Sequence, residues 1–241
     1  KKLNAAVFEM DPAFGVWRLV TRKEGLQIDI CAWQGKNLKE DLLRRDFTFN
    51  ALAYPVSRPA RLLIKKEKKG TQILLQGLLR REIVDFSHGL QAVKERKILL
   101  TGPKVFKEDP LRMLRVFRCA AELNFQIDPS VLKQIKKDAS LIWQSAGERI
   151  QEELTRLFNT SKAYENLCLM DGCGLLTALF PVLEAQRSCA EVYYGRGGVL
   201  SHTLAVFKRM EYLVDHLNKA FPKYAKKLAP YAANKALLKM A

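Results

Sequence analysis

The pattern of apolar residues changes period at Pro103, and that change limits the fold more than any other feature of the chain. Before it lie short stretches rich in Val, Ile, Phe and Trp (AAVFEM, FGVWRLV and LQIDICAW), separated by Asp11-Pro12 and Glu24-Gly25. Apolar runs of this length bounded by turn residues predict an antiparallel β meander over residues 6–33. Leu42, Leu43, Phe47, Phe49, Leu52 and Ala53 then recur at near-helical intervals until Pro55, which predicts a single helix over 38–54. The segment LLIKKEKKGTQILLQG predicts a hairpin turning at Lys69-Gly70, and EIVDFSHGLQAVKERKILLTG a loop-rich connection with a final short strand. Beyond Pro103 the spacing is almost wholly that of amphipathic helices, over 109–123, 129–138, 146–159, 163–173, 200–220 and 224–240. A mixed front and an all-helical rear define an α+β protein, divided as a head over 1–103, a helical neck over 104–165 and a helical body over 166–241.

With 241 residues, 48% of them hydrophobic, the chain can bury a sizeable core. Its formal net charge of +16 points to a polyanionic partner, and nucleic acid fits better than a membrane because no basic amphipathic anchor stands out. The excess is localised: residues 61–107 hold twelve Lys/Arg against four Asp/Glu, and residues 208–241 eight against two. No signal peptide or apolar run of membrane-spanning length is visible. Cys31, Cys119, Cys168, Cys173 and Cys189 are odd in number and lack a close CxxC pair. They read as reduced, buried thiols of a cytoplasmic protein rather than as disulfide or zinc partners.

Residues 108–118, EDPLRMLRVFR, carry the sharpest chemistry. On a helix Asp109 and Arg112 stand at i and i+3, so both side chains leave one face about a turn apart. A carboxylate accepts from an exocyclic amine, and a guanidinium donates to a ring nitrogen but never accepts. Adenine and cytosine offer an amine beside an unprotonated ring nitrogen. Guanine and uracil present a carbonyl beside a ring N–H, which leaves both protein groups unpaired. The pair therefore suits A and C and rejects G and U. The plainer reading is a solvent-facing salt-bridged turn.

Four segments stand in an order and spacing that resembles the bacterial-type (class II) tRNA nucleotidyltransferase and poly(A) polymerase family: RRDFTFNALAY (residues 44–54), DFSHG (85–89), EDPLRMLRVFRCAAELNFQID (108–128) and ERIQEEL (148–154). The resemblance implies a polymerase-type nucleotidyltransferase sheet as the head, here incomplete at its start, followed by helical neck and body. It implies template-independent addition of AMP, with CMP as the alternative, to the 3′ end of tRNA, using ATP or CTP and Mg2+. Poly(A) addition to other RNAs belongs to the same resemblance. By carry-over, Arg44, Arg45, Asp46 and Asn50 would hold ribose and phosphates, and Glu108, Asp109 and Arg112 would form the nucleobase template. Arg115 and Arg118 continue that ridge, either supporting the template or meeting phosphate, or packing between helices. Arg149 and Glu153, at i and i+4, are expected to form a bracing ion pair.

The chain departs from the family pattern at Ala92, where an acidic residue is usual, and more widely at its beginning. The family's Gly-rich phosphate motif and Asp-x-Asp metal pair precede the meander, and no stretch before Asp29 supplies them. Because the chain opens on Lys1, that segment is expected to lie upstream, and the 241 residues are expected to be inactive alone. By the same resemblance, Asp29 on LQIDI aligns with the strand where the polymerase-type fold often places a third acidic residue, which makes it the candidate catalytic carboxylate and metal ligand. At the far end, GGVLSHTLAVFKRMEYLVDHL resembles the opening of an HD-type phosphohydrolase domain with His202 as its first ligand, but no His-Asp dyad follows and no metal is assigned there. Two competing readings remain, a non-catalytic RNA-binding module and an HD phosphohydrolase.

Overall fold

Alternation and turn chemistry build the front of the molecule as the sequence predicts. In the computed structural model, which describes residues 5–11, 15–22, 25–55, 61–67, 70–76 and 82–240, strands β1 (Ala5–Asp11), β2 (Val16–Thr21) and β3 (Gln27–Ile30) form an antiparallel sheet in the order β1-β2-β3. Thr21 N–H donates to the Leu26 carbonyl and Gly25 N–H to the Thr21 carbonyl, which closes the β2–β3 turn. The register sets Trp17 opposite Ile30 and Arg18 opposite Asp29. Helix α1 (Leu38–Leu43) starts where the Asn37 side chain accepts from Glu40 N–H at 3.0 Å, one of the donors that a helix start leaves open. Short strand β4 (Leu52–Ala53) pairs with β7 (Val84–Asp85), and β5 (Arg61–Glu67) with β6 (Gly70–Gln76), both antiparallel. The β5–β6 register runs from Arg61 opposite Gln76 to Glu67 opposite Gly70, which is the hairpin the sequence predicts.

The chain divides into two compact units, residues 1–45 with 51–87, and residues 46–50 with 88–241. In the second unit β8 (Lys97–Ile98) lies parallel to β9 (Gln126–Ile127), and helices supply the rest. These are α2 (Gly89–Glu95), α3 (Val105–Glu108), α4 (Arg112–Leu123), α5 (Pro129–Asp138), α6 (Gly147–Phe158), α7 (Ala163–Gly172), α8 (Leu175–Leu179), α9 (Val182–Ala185), α10 (Glu191–Tyr194), α11 (Gly198–Asp215), α12 (Leu217–Ala220), α13 (Ala225–Ala232) and α14 (Lys235–Met240). Helix α4 is the centre of the core. Met113, Leu114, Val116, Phe117 and Ala120 face inward against Phe47, Ile98, Phe106, Ile135, Leu157 and Met170. Each large apolar side chain buried this way contributes roughly 1.5–3 kcal/mol. At the C-terminal end, Lys239 Nζ donates to the Thr160 carbonyl at 2.7 Å and to Glu211 at 2.8 Å. Glu211 in turn accepts from Ala163 N–H at 2.9 Å, so one buried carboxylate caps α7 and anchors α14.

Several expectations need correction. The helix over 38–54 ends at Arg44, because Phe47 N–H turns to the Asp46 carboxylate at 2.8 Å and Thr48 N–H to the Leu99 carbonyl at 3.0 Å. A single 3-10 turn, Thr48–Asn50, is all that follows. The helix over 109–123 starts at Arg112, since Asp109 precedes proline and adopts φ −150°, ψ 101°, the extended region that such a residue prefers. The connection after Asp85 contains α2, and the C-terminal segments break at His216 and between Ala232 and Lys235, with α8, α9 and α10 added between them and α7. Among the cysteines only Cys119 and Cys173 are buried; Cys31 and Cys189 are exposed, and all five are free. Finally, the Arg149–Glu153 ion pair is replaced by two longer-range ones, Arg149 with Asp109 and Arg118 with Glu153.

Candidate functional site

The start of α4 gathers most of the charged residues singled out in the sequence. Asp109 sits in the three-residue break between α3 and α4, with Pro110 buried behind it, so its carboxylate precedes the helix instead of riding on its side. One oxygen, Oδ1, accepts from Leu111 N–H at 3.2 Å, and the other, Oδ2, accepts from Arg149 Nη2 at 3.0 Å. Each oxygen has two lone pairs, so each retains capacity for one further donor. Arg149 reaches Asp109 from the first turn of α6, forty positions along the chain. No helical spacing could have exposed that pair; only the packing of α6 against α4 creates it.

Arg112 is the first residue of α4, and its N–H donates to the Asp109 carbonyl at 3.1 Å. Its Nη1 is steadied by the Val105 carbonyl at 3.3 Å and, more weakly, by Glu108 Oε2 at 3.5 Å. Nε and Nη2 make no hydrogen bond to other described residues. The guanidinium is thus fixed on one side and free to donate on the other. Asp109 and Arg112 are thus joined through the backbone in one turn, and not by lying along a helical face.

One turn further on, Arg115 Nη2 binds Asp46 Oδ2 at 2.7 Å. Asp46 is itself buried, and its Oδ1 also accepts from Phe47 N–H at 2.8 Å and Asn50 Nδ2 at 3.0 Å. Three of its roughly four lone-pair sites are therefore used, and one remains on Oδ2. The expected closeness of Asp46 and Asn50 is real, but a tight turn produces it. Arg115 Nε is buried without a partner, a donor left open beside this cluster. Arg118 answers its own question by packing between helices: Nε binds Glu153 at 2.5 Å and Nη1 binds Glu122 at 2.5 Å. Burial acts to lower the pKa of Arg118, and the Glu153 bond together with neighbouring charges overrides it and leaves it raised. Two turns along, burial pushes the Cys119 thiol up to about 11.

The remaining predicted residues lie in the first unit. Arg44 Nη1 donates to the Gln34 carbonyl at 3.0 Å, and Arg45 Nη2 binds Asp41 at 3.2 Å, both guanidinia staying largely exposed. Asp29 has both oxygens taken by Arg18, at 2.6 and 2.7 Å, across the β2–β3 register. That bidentate bond holds its carboxyl below the usual range. Among the described residues no three carboxylate, histidine or cysteine side chains come together to hold a metal ion. Asp29 alone, already paired with Arg18, does not make a divalent-cation site. His202 stacks on Tyr194 with ring centroids 4.6 Å apart, which gives it a structural partner. No helix among the described residues is long and apolar enough to cross a membrane.

The chain is similar to known proteins. Residues 18–99 match the family described as "Poly A polymerase head domain", and residues 124–187 the one described as "Probable RNA and SrmB- binding site of polymerase A". The CC-adding tRNA nucleotidyltransferase of Geobacter sulfurreducens is 31% identical over 206 residues, covering 86% of this chain and 43% of that protein. Poly(A) polymerase I of Salmonella typhimurium is 31% identical over 148 residues, covering 61% of this chain and 27% of its own length. Among solved structures, the Bacillus stearothermophilus CCA-adding enzyme in complex with CTP superimposes with a TM-score of 0.55 at 27% identity, over 70% of this chain and 39% of that one. The chain thus spans less than half the length of these relatives.

Proposed function

The chain belongs to the family of tRNA nucleotidyltransferases and poly(A) polymerases, and from that premise we propose that it serves the addition of AMP, with CMP as the alternative, to the 3′ end of tRNA without a nucleic-acid template. The reaction joins the terminal RNA O3′ to the α-phosphorus of a nucleoside triphosphate. The bond from that phosphorus to the bridging oxygen breaks, pyrophosphate leaves, and the hydroxyl proton passes to solvent. Such transfer depends on positioning and charge neutralisation, to which Mg2+ would contribute when bound.

The residues of this chain act on the nucleotide. Asp109, oriented by Leu111 N–H and Arg149, would accept from the base amine, and the free donors of Arg112 would meet the adjacent ring nitrogen. For guanine or uracil both contacts fail at once. Each buried polar group left unpaired costs about 1–3 kcal/mol, so two together give roughly 30-fold to 10^4-fold discrimination. Asp46 has one lone pair to offer a ribose hydroxyl beside Asn50, while Arg44 and Arg45 present exposed guanidinia suited to phosphate. Arg115 ties Asp46 to α4 and so links the residues proposed for ribose to those proposed for the base.

The observation that carries this reading is the half-satisfied pair at the start of α4, a carboxylate aimed by two donors next to a guanidinium with open N–H groups. The test is incubation of the full-length gene product with labelled ATP or CTP and tRNAs that lack the whole terminal CCA, lack only its last A, or are complete. Addition of a single labelled A to the second substrate supports the reading in its leading form. Failure to extend any of the three RNAs overturns it.

A further inference from the structure

Helices α5 and α7 share a concavity of about 320 Å3 inside the helical unit, at the small end of the range that holds a compact organic molecule. None of the residues proposed for the nucleotide lines it. Two thiols and two ammonium groups share its wall instead: Cys168 and Cys173 from the end of α7, and Lys133 and Lys136 from α5.

Helical spacing makes this grouping. Lys133 and Lys136 stand at i and i+3, so both leave one face of α5. Both are exposed, and neither ammonium makes a hydrogen bond or ion pair with another described residue. Gly172, between the two cysteines, adds no side chain to the wall, and a Cβ there would meet no atom within 4 Å. The space beside the thiols is therefore open.

The two sulfurs differ. Cys173 is buried, its Sγ donates to the Met170 carbonyl at 3.4 Å, and burial pushes its pKa up although the charge of Lys136 acts the other way. Cys168 is half-buried and stands beside the Tyr164 hydroxyl one turn back on α7. Cys168 is thus the sulfur a reagent can reach, with two unneutralised cations on the opposite wall to receive an anion.

We propose that Cys168 is a site of reversible thiolation by an anionic low-molecular-weight disulfide of the oxidised-glutathione class, whose carboxylates lie on Lys133 and Lys136. Cys168 gives its proton to solvent, and the thiolate attacks one sulfur of the disulfide. A new S–S bond forms as the old one breaks, and the departing thiolate takes up a proton. One disulfide is consumed and one is made, so no further oxidant enters. Cys173 does not resolve the adduct: five residues of helical backbone set the two Cα atoms roughly 8–9 Å apart, beyond the ~7 Å that a disulfide can bridge. The adduct therefore persists until an external thiol removes it.

The test compares two reagents on the native chain. Oxidised glutathione is anionic, whereas hydroxyethyl disulfide offers the same reacting bond without charge. Their rates at Cys31, Cys168 and Cys189 are read by peptide mass spectrometry, at low and high salt, for the parent and for Lys133→Gln/Lys136→Gln. Dividing the first rate by the second cancels exposure and thiolate fraction and leaves the effect of reagent charge. At Cys168 this ratio should exceed those at Cys31 and Cys189 by roughly fivefold, the worth of two exposed charge contacts. It should fall to their level in the double variant and at high salt. A ratio at Cys168 no greater than at the two exposed cysteines, or one that survives loss of both lysines, overturns the proposal. So does a Cys168 that neither reagent modifies before the protein unfolds.

Discussion

Glu153→Gln is the substitution whose cost follows most closely from the structure. Arg118 and Glu153 are both buried, with 7% and 9% of their side chains exposed, and they join α4 to α6 by a 2.5 Å bond. Gln keeps the shape and removes the charge. Breaking a buried pair from one side usually costs about 3–5 kcal/mol, because the partner charge stays behind without compensation. Here Glu122 still binds Arg118 at 2.5 Å and is itself bound by Arg156 at 3.1 Å, so part of the compensation survives. The expected loss is therefore about 2 kcal/mol, equivalent to a fall of roughly 4–8 °C in melting temperature for a unit of this size. Thermal denaturation followed by circular dichroism, with urea titration as a check, measures it. Replacing both partners, as in Arg118→Met with Glu153→Leu, should recover most of the loss, since two apolar side chains leave no stranded charge. A Glu153→Gln protein melting within 1 °C of the parent, or a double variant less stable than the single one, would refute the reasoning.

Three further outcomes follow from local geometry. Gly198 has φ +54°, and a Cβ there would lie 2.4–2.7 Å from the carbonyl oxygens of Cys189, Arg187 and Gln186; Gly198→Ala should lower the melting temperature by several degrees, and an unchanged melt would contradict the close approach. Cys31 and Cys189 are exposed, whereas burial raises both Cys119, to about 11, and Cys173; iodoacetamide at pH 8 should label the first two in the native protein and the second two only after unfolding, as read by peptide mass spectrometry. Asp128 caps α5 through Ser130 Oγ and N–H, which hold its carboxyl below the usual 3.8; Asp128→Ala should cost about 1 kcal/mol at neutral pH, and the gap from the parent should close as pH falls through the lowered pKa, because the cap stabilises only when ionised.

Much of the fold was legible because period-2 and period-3.6 patterns report directly on which face is buried. The meander, the β5–β6 hairpin and helices α5, α6 and α7 came from those patterns nearly residue for residue. What escaped was decided by groups distant in sequence or by one local veto. Apolar spacing carried the first helix past Arg44, but the Asp46 carboxylate captured Phe47 N–H and Phe47 entered the helical core, which no periodicity encodes. Pro110 disfavours helical backbone at Asp109, a local veto that apolar spacing does not report, so the helix begins at Arg112 and not at 109. At the candidate site helical spacing pairs Arg149 with Glu153, whereas α4–α6 packing sends one to Asp109 and the other to Arg118.

The base-reading role proposed for Asp109 and Arg112 is open to a binding measurement that needs no turnover. Isothermal titration of ATP, CTP, GTP and UTP into the parent protein and into Arg112→Ala compares all four bases at one site. ATP and CTP should bind at least tenfold more tightly than GTP and UTP to the parent, and Arg112→Ala should bind all four alike while keeping its affinity for tRNA. Equal affinities in the parent, or an undiminished preference after the guanidinium is removed, would contradict the idea that this acid and guanidinium choose the base.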